Sequence, residues 1–494
     1  MAPPDLSTRL ESSMNSRARW IQSRSFHDQQ DFHDSQGIAV QRMNIKVEYS
    51  RSTNSRIGIC TVGRGSGWWS TGVVALVSLA LSAAATAADR SLPYIPASND
   101  TVLEHLPSTS DPRVRQFDAL KKQSAAKPGD LKLAVALSRA YLDYGRDTGD
   151  ARYLGRAQAV IAPWTSKASA PNDAMLVLAT ILQSRHQFVE SRQILQAVLR
   201  QDDDNPQAWL TLASVALVQG DMNEAHRDCA HLMGGMDALI TAGCIGSWSA
   251  VNGNAQSALH IVDTLLKQEP SESPVLQSWA HGLMADAAKT IGQTDRADAE
   301  FRKALQFAPG DNFLLADYAD FLLDHGRAQA ALELTRGYEQ SDTSFLRKAL
   351  AESALRLPTA NADVEQMASR FRDLEQRGDS RLYGREEARF ALELQHDSVR
   401  ALKLAQDDWT IQRAPEDIRI YLQAALATGK PASAQVVLAY LKSTRFEDPI
   451  VSALASQVAA QIAASAKAAV ATPAIARTPA IKPTASSLAA GAFR

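Results

Sequence analysis

The chain has 494 residues, of which 45% are apolar and 21% charged, and a net charge of −2. That composition excludes a disordered or collagen-like chain, and it gives no electrostatic reason to expect nucleic acid as the ligand. Abundant Ala with ordinary Gly and Pro content points to a folded, helix-rich protein longer than one ordinary domain.

Residues 1–55 are polar and carry no sustained period. They lead into Arg56 and Arg64, an apolar run from Trp68 to Leu81, and a small-residue stretch through Ala88. A basic flank, a short apolar core and an A-x-A site at Ala85 and Ala87 read as a secretory signal, cleaved near Ala87/Ala88. Residues 1–88 are then leader and signal peptide. That length exceeds the usual one, and initiation at Met43 would shorten it. The competing reading is an uncleaved anchor, since Trp68 to Ala88 is close to the roughly 20 residues a bilayer needs. Its Ala/Ser/Thr second half favours cleavage, so membrane association is expected only if the leader is kept. No later segment reads as long and apolar enough to span. There is no Cys at the cleavage region for lipid attachment. The expected address is periplasmic or otherwise exported.

Residues 89–110 hold several Pro, Ser and Thr and read as a linker, and 111–127 as a lone helix, so that 89–130 precede the main body. From 131 to 448 a repeat runs through the sequence. Gly-x4-Ala recurs at Gly220/Ala225, Gly253/Ala258, Gly292/Ala297 and Gly326/Ala331, the glycines being 33, 39 and 34 residues apart. His186/Ser191 keeps the pattern upstream, and His396/Ala401 and Gly429/Ala434 downstream. One degenerate copy lies between, marked by Met367, Phe371 and Leu374. The 39-residue interval predicts a longer turn around Pro270–Pro274. Apolar residues follow the Ala at helical spacing, as in Phe301 and Ala304 after Ala297, and another apolar helix precedes the Gly, as in Trp209, Leu212, Ala213 and Ala216. Helix, turn with Gly at the break, helix, then Pro is a helical hairpin. In the first copy Leu137, Tyr141 and Gly145 fit a first helix, with extra residues before Ala157. Residues 449–470 read as an Ala-rich capping helix, and 471–494, with Pro473, Pro479 and Pro483, as a disordered tail.

The period near 34, with Asn205-Pro206-Gln207-Ala208-Trp209 through Ala225 and Ser278 through Pro309 as the best copies, resembles the tetratricopeptide repeat family. The resemblance implies an all-α fold, a right-handed α-solenoid of about 8–9 hairpins whose first helices line a concave groove. It implies a groove lined by Leu210, Ser214 and Leu217, then Trp279, Asp286 and Lys289, then Phe313, Asp320, Leu323 and Asp324, then Tyr383, Glu386, Phe390 and Glu393. That groove is expected to be aromatic and acidic with few cations, and to take an extended or helical segment of apolar and basic character. The Lys/Asn set that grips a C-terminal carboxylate in some members is absent from these positions. The alternative for each aromatic is packing between helices.

Cys229 and Cys244 fall on neighbouring helices of successive hairpins. They are either a disulfide or two buried thiols acting as small apolar groups. His226, Cys229 and His231 lack a second ligand pair at zinc spacing, so no metal is expected. Gly63-Arg64-Gly65-Ser66-Gly67 sits in the leader without the strand and helix a nucleophile elbow needs. Gly429-Lys430 has no upstream phosphate-loop glycine. No catalytic residues and no cofactor are expected. The expected function is a non-catalytic protein–protein interaction scaffold of the bacterial cell envelope, binding one or more proteins or peptide segments and no nucleic acid. The alternatives are an accessory protein that binds or exports an envelope polysaccharide, and an enzyme with an unrecognised site.

Overall fold

The computed structural model describes residues 111–167, 169–268, 273–378 and 380–471, together with Ser98. The expected signal peptide and its expected cleavage site, Met43, most of the expected linker and the expected tail lie outside the described residues.

Twenty α-helices and no strand occur among the described residues. A lone helix, α1 (Pro112–Ala126), comes first. It is followed by α2 (Leu131–Thr148), α3 (Arg152–Thr165), α4 (Asn172–Ser184), α5 (Phe188–Leu199), α6 (Pro206–Gln219) and α7 (Met222–Ala230). Next come α8 (Ala238–Ala250), α9 (Ala255–Gln268), α10 (Pro274–Thr290), α11 (Thr294–Phe307), α12 (Asn312–Asp324) and α13 (Ala328–Thr335). The last are α14 (Asp342–Ala354), α15 (Ala360–Gln376), α16 (Gly384–Arg389), α17 (Ser398–Trp409), α18 (Pro415–Ala427), α19 (Gln435–Thr444) and α20 (Pro449–Ala471). A π-turn, Phe390–Leu394, prolongs α16. From α2 to α19 each even-numbered helix pairs with the odd-numbered one after it, giving nine hairpins.

Local chemistry sets the helix starts. Asp130, Asn205, Asp237, Ser273, Asp311 and Ser341 each accept a backbone N–H of the first turn through the side chain, which satisfies donors the helix leaves unpaired. Pro206, Pro274 and Pro415 stand at first helical positions, where the missing N–H is not needed. First helices of neighbouring hairpins pack on one another, as in α8 with α10 and α12 with α14, whereas second helices do so far less. The first helices therefore lie on the short inner circumference of the solenoid. Apolar clusters fill the space between the paired helices, and the one in the middle of the solenoid has Leu259, Met284, Phe301, Phe321 and Leu322 at its centre.

At one end Phe117 of α1 inserts among Tyr141, Tyr144 and Tyr153, with centroids 5.1, 5.5 and 6.0 Å away. At the other, α20 packs on α18 through Val451 and Val458. Leu137, Tyr141 and Gly145 lie in the first helix of the first hairpin, as expected: α2 continues to Thr148 and caps at Gly149 in a left-handed conformation, and Gly145 has no Cβ where that of Tyr153 approaches. Two sequence expectations need correction here. The excess in the long repeat is taken partly by α10 itself, which has 17 residues against 14 in α6 and 13 in α12. Finally, Pro449–Lys467 in α20 is long and apolar enough to cross a membrane by length and composition, because alanines raise its mean hydropathy to 1.3.

Candidate functional site

Five first helices, α10, α12, α14, α16 and α18, turn charged side chains toward the common axis, and these pair across it. Asp320 of α12 binds Arg347 of α14 at 2.7 Å and Arg389 of α16 at 2.5 Å. Arg347 donates its other terminal nitrogen to Glu386 at 2.8 Å. Asp324 takes both terminal nitrogens of Arg419 on α18, at 2.5 and 2.6 Å. Lys289 of α10 lies 3.1 Å from Asp286 and 4.0 Å from Glu416 of α18, while Arg385 lies between Glu416 and Asp417 at 3.7 and 3.5 Å. What remains open is a cleft of about 60 Å³, lined by Lys289, Asp317, Asp320, Arg385, Glu416 and Arg419 among others.

Burial would push the Asp320 carboxyl up, but the Arg347 and Arg389 guanidiniums outweigh it and hold the group well below the usual carboxylate range. Asp317 stands in the opposite situation. Burial pushes it up to about 8, the Asp286 and Glu416 carboxylates add to the shift, and Lys289 only partly opposes it. Among the described residues Asp317 has no hydrogen-bond or ion-pair partner. A carboxyl whose folded value is raised holds its proton while the unfolded chain has already released one, so it erodes stability as pH rises. The erosion begins above the ordinary carboxylate value and is complete once pH passes about 8. Asp317→Asn is therefore expected to gain stability over the parent between about pH 5 and pH 8.5, read as urea midpoints at the two pH values. Equal pH slopes in parent and variant would refute this assignment.

The candidate residues separate by location. Asp286, Lys289, Asp320, Asp324 and Glu386 belong to the ion-pair network, and Glu393 pairs with Arg389 at 3.0 Å. The expected cation-poor, acidic groove is thus corrected. The repeat register marks Asp320, Asp324 and Glu386 on the first helices but not Arg347, Arg385, Arg389 and Arg419, which neutralise them from α14, α16 and α18. Phe390 is also corrected: it is 1% exposed and packs against Phe371 in the core, with centroids 5.3 Å apart. The Trp279 ring covers the backbone of α8 at Gly243, where any Cβ would collide with it. It therefore packs between helices. Leu323 packs into the core between hairpins. Tyr383 reaches the Gly149 carbonyl at 3.5 Å. Phe313, at the start of α12, is 55% exposed. On α6, Leu210, Ser214 and Leu217 are half-buried and free of the charged network; the Ser214 hydroxyl is spent on the Leu210 carbonyl at 2.9 Å.

Cys229 of α7 and Cys244 of α8 form a disulfide with Cα atoms 5.7 Å apart, joining the third hairpin to the fourth. The nearby histidines are held by indoles: His231 stacks on Trp209 at 3.8 Å, and His226 lies 4.4 Å from Trp248. No group of three metal-ligating side chains occurs among the described residues.

A single backbone feature marks every hairpin. Gly149, His186, Gly220, Gly253, Gly292, Gly326, Arg356, His396 and Gly429 all hold φ between 54° and 77°, one at each break between first and second helix. Five residues after most of these turns stands a small, fully packed side chain at the helix crossing, such as Ser191, Ala225, Ala297, Ala331 or Ala401. The fold is of the tetratricopeptide type. Repeats of this type explain why His186 and His396 tolerate a left-handed backbone: the hairpin geometry demands it even where Gly is missing. Similar solved structures include the Cut9–Hcn1 hetero-tetramer of APC/C, at 13% identity and a TM-score of 0.43 over 70% of this chain and 66% of that one. PilW, a widely conserved type IV pilus biogenesis factor, aligns at 16% identity and 0.34 over 42% of this chain and 97% of that one. A tetratricopeptide repeat protein from Parabacteroides merdae aligns at 13% and 0.32 over 63% and 99%. No protein-family model and no curated protein matches the sequence.

Proposed function

We propose that this chain is a non-catalytic protein–protein interaction scaffold of the bacterial cell envelope, exported after cleavage near Ala87/Ala88. The observation that carries the reading is the division of its inner face. In the later hairpins the charged side chains of the first helices are consumed by one another, as Asp320, Arg347, Glu386 and Arg389 are. In the third hairpin, α6 leaves Leu210 and Leu217 half-exposed and outside that network. Half-exposed aliphatics on a rigid helix suit an apolar partner segment. The disulfide supports the exported setting, since such bridges persist in oxidising compartments.

The test is photocrosslinking in intact cells with a photoreactive residue at position 217 or 313. A control at position 399, on second helix α17, uses a side chain that is itself 64% exposed. One dominant protein adduct at 217 or 313, missing at 399, is the expected result. Adducts no stronger than the control, or adducts with glycan alone, would sink the reading. Reversing Asp320 or Asp324 is unsuitable as a probe, because each anchors an arginine of the fold.

A further inference from the structure

In a simple solenoid each hairpin touches only its neighbours. Here the later hairpins also reach back to the first ones. The Arg413 N–H, in the connection between α17 and α18, donates to the Val218 carbonyl at 2.8 Å, and its guanidinium approaches the Gln219 carbonyl at 3.5 Å across a separation of 194 residues. The Glu447 N–H, between α19 and α20, donates to the Val251 carbonyl at 3.1 Å. These acceptors are carbonyls at the ends of α6 and α8, where a helix has no partner of its own to offer. The left-handed glycines of the early hairpins are pressed against the later ones. A Cβ on Gly220 would lie 2.6 Å from the Tyr440 hydroxyl, and one on Gly253 would lie 3.2 Å from Glu447 Oε1. The equivalent glycines of later hairpins, Gly292, Gly326 and Gly429, have nothing within 4 Å.

This contact line contains a flaw. The Tyr440 hydroxyl is buried in it without any hydrogen-bond partner. A buried, unsatisfied hydroxyl disfavours the closed arrangement, and water would satisfy it on opening. Burial accordingly pushes the phenol up to about 12. Apart from Val251, which packs on the Trp409–Tyr440 cluster, the line is polar and thin, whereas each hairpin keeps its own apolar core.

We propose that Arg413, Tyr440 and Glu447 form a clasp against the ends of α6 and α8, which opens and closes as one unit and controls access of a partner segment to Leu217. The access part rests on the scaffold reading above; the clasp itself does not.

Hydrogen exchange at the Arg413 and Glu447 amides of the full chain reads the clasp directly, because both donate only across it. Both amides are expected to exchange together and faster than the core amides of α12. Gly220→Ala should speed both by about tenfold or more, while Gly292→Ala, with the same left-handed strain and open space, should leave them unchanged. Tyr440→Phe removes the unsatisfied hydroxyl and should slow both. The clasp is overturned if the two amides respond independently, if they exchange only with the α12 core, or if Tyr440→Phe speeds them. Crosslinking from position 217 should fall in Tyr440→Phe and rise in Gly220→Ala. Crosslinking that ignores a clasp shown to respond overturns access control. An absence of adducts from every variant defeats the scaffold reading and leaves the exchange result to decide the clasp.

Discussion

Arg347→Ala is expected to lower the stability of the solenoid by about 3–5 kcal/mol, the range for removing one member of a buried charge group. The Arg347 side chain is only 3% exposed and lies between Asp320 and Glu386. Taking it away leaves two buried carboxylates with Arg389 and Arg385 as their remaining close cations. The loss exceeds that of a surface pair, because water cannot replace the guanidinium. Folding in the parent holds both carboxyls below their ordinary range, so the network's contribution is present at neutral pH and is lost as pH falls. Urea unfolding at neutral pH measures the effect. A companion variant carrying Asp320→Asn and Glu386→Gln as well should recover part of the loss, since neutral amides tolerate the missing cation better. A single-variant loss below about 1 kcal/mol would mean that water reaches the network freely.

The second large effect belongs to the disulfide. It closes a loop of 15 residues, for which chain-entropy estimates give about 3 kcal/mol. Cys229→Ala with Cys244→Ala, or reductant added to the parent, should lower the urea midpoint by a similar amount, and the double variant should no longer respond to reductant. Cys229 is fully buried beside Ala213 and Leu232, so the alanine form keeps most of the packing. Because hairpins fold against their neighbours, the loosening should concentrate in α7 and α8, with hydrogen exchange in α12 nearly unchanged. Uniform loss along the solenoid would show instead that the hairpins unfold as one cooperative unit.

The sequence and the structure agree most closely where the determinants are local. The turn position at Gly220, Gly253, Gly292 and Gly326 is announced by the residue type, and the same slot at His186 and His396 was legible from the interval alone. Arg356 occupies the slot with φ 54° and could not be found that way, because neither Arg nor its neighbours resemble the pattern. In the first hairpin Gly145 lies in the first helix, as its spacing predicts, and Gly149, four residues on, takes the left-handed turn that the spacing does not mark. The inner face was less legible. A repeat register says which residues point inward, not which residues they meet. Asp324 meets Arg419 across 95 positions, a pairing set by how tightly the hairpins wind. The same holds for Tyr440 and Gly220, whose approach has no trace in the spacing of either copy. Aromatics were ambiguous from the start, and their fates differ: Phe390 is core, Trp279 caps a glycine, Phe313 is exposed.

The order in which a ribosome makes the chain gives the contact between early and late hairpins a further meaning. Contacts within a hairpin and with its neighbour can form as soon as both exist, while others, such as α2 with α12 or Asp324 with Arg419, wait for more of the chain. Gly220 and Gly253 wait for Arg413, Tyr440 and Glu447, which are synthesised about 190 residues later. A chain interrupted just before residue 413 can therefore complete its first eight hairpins and still present the bare ends of α6 and α8. Closure reports that synthesis has passed the ninth hairpin, and it distinguishes such a chain from a shorter fragment that is otherwise folded.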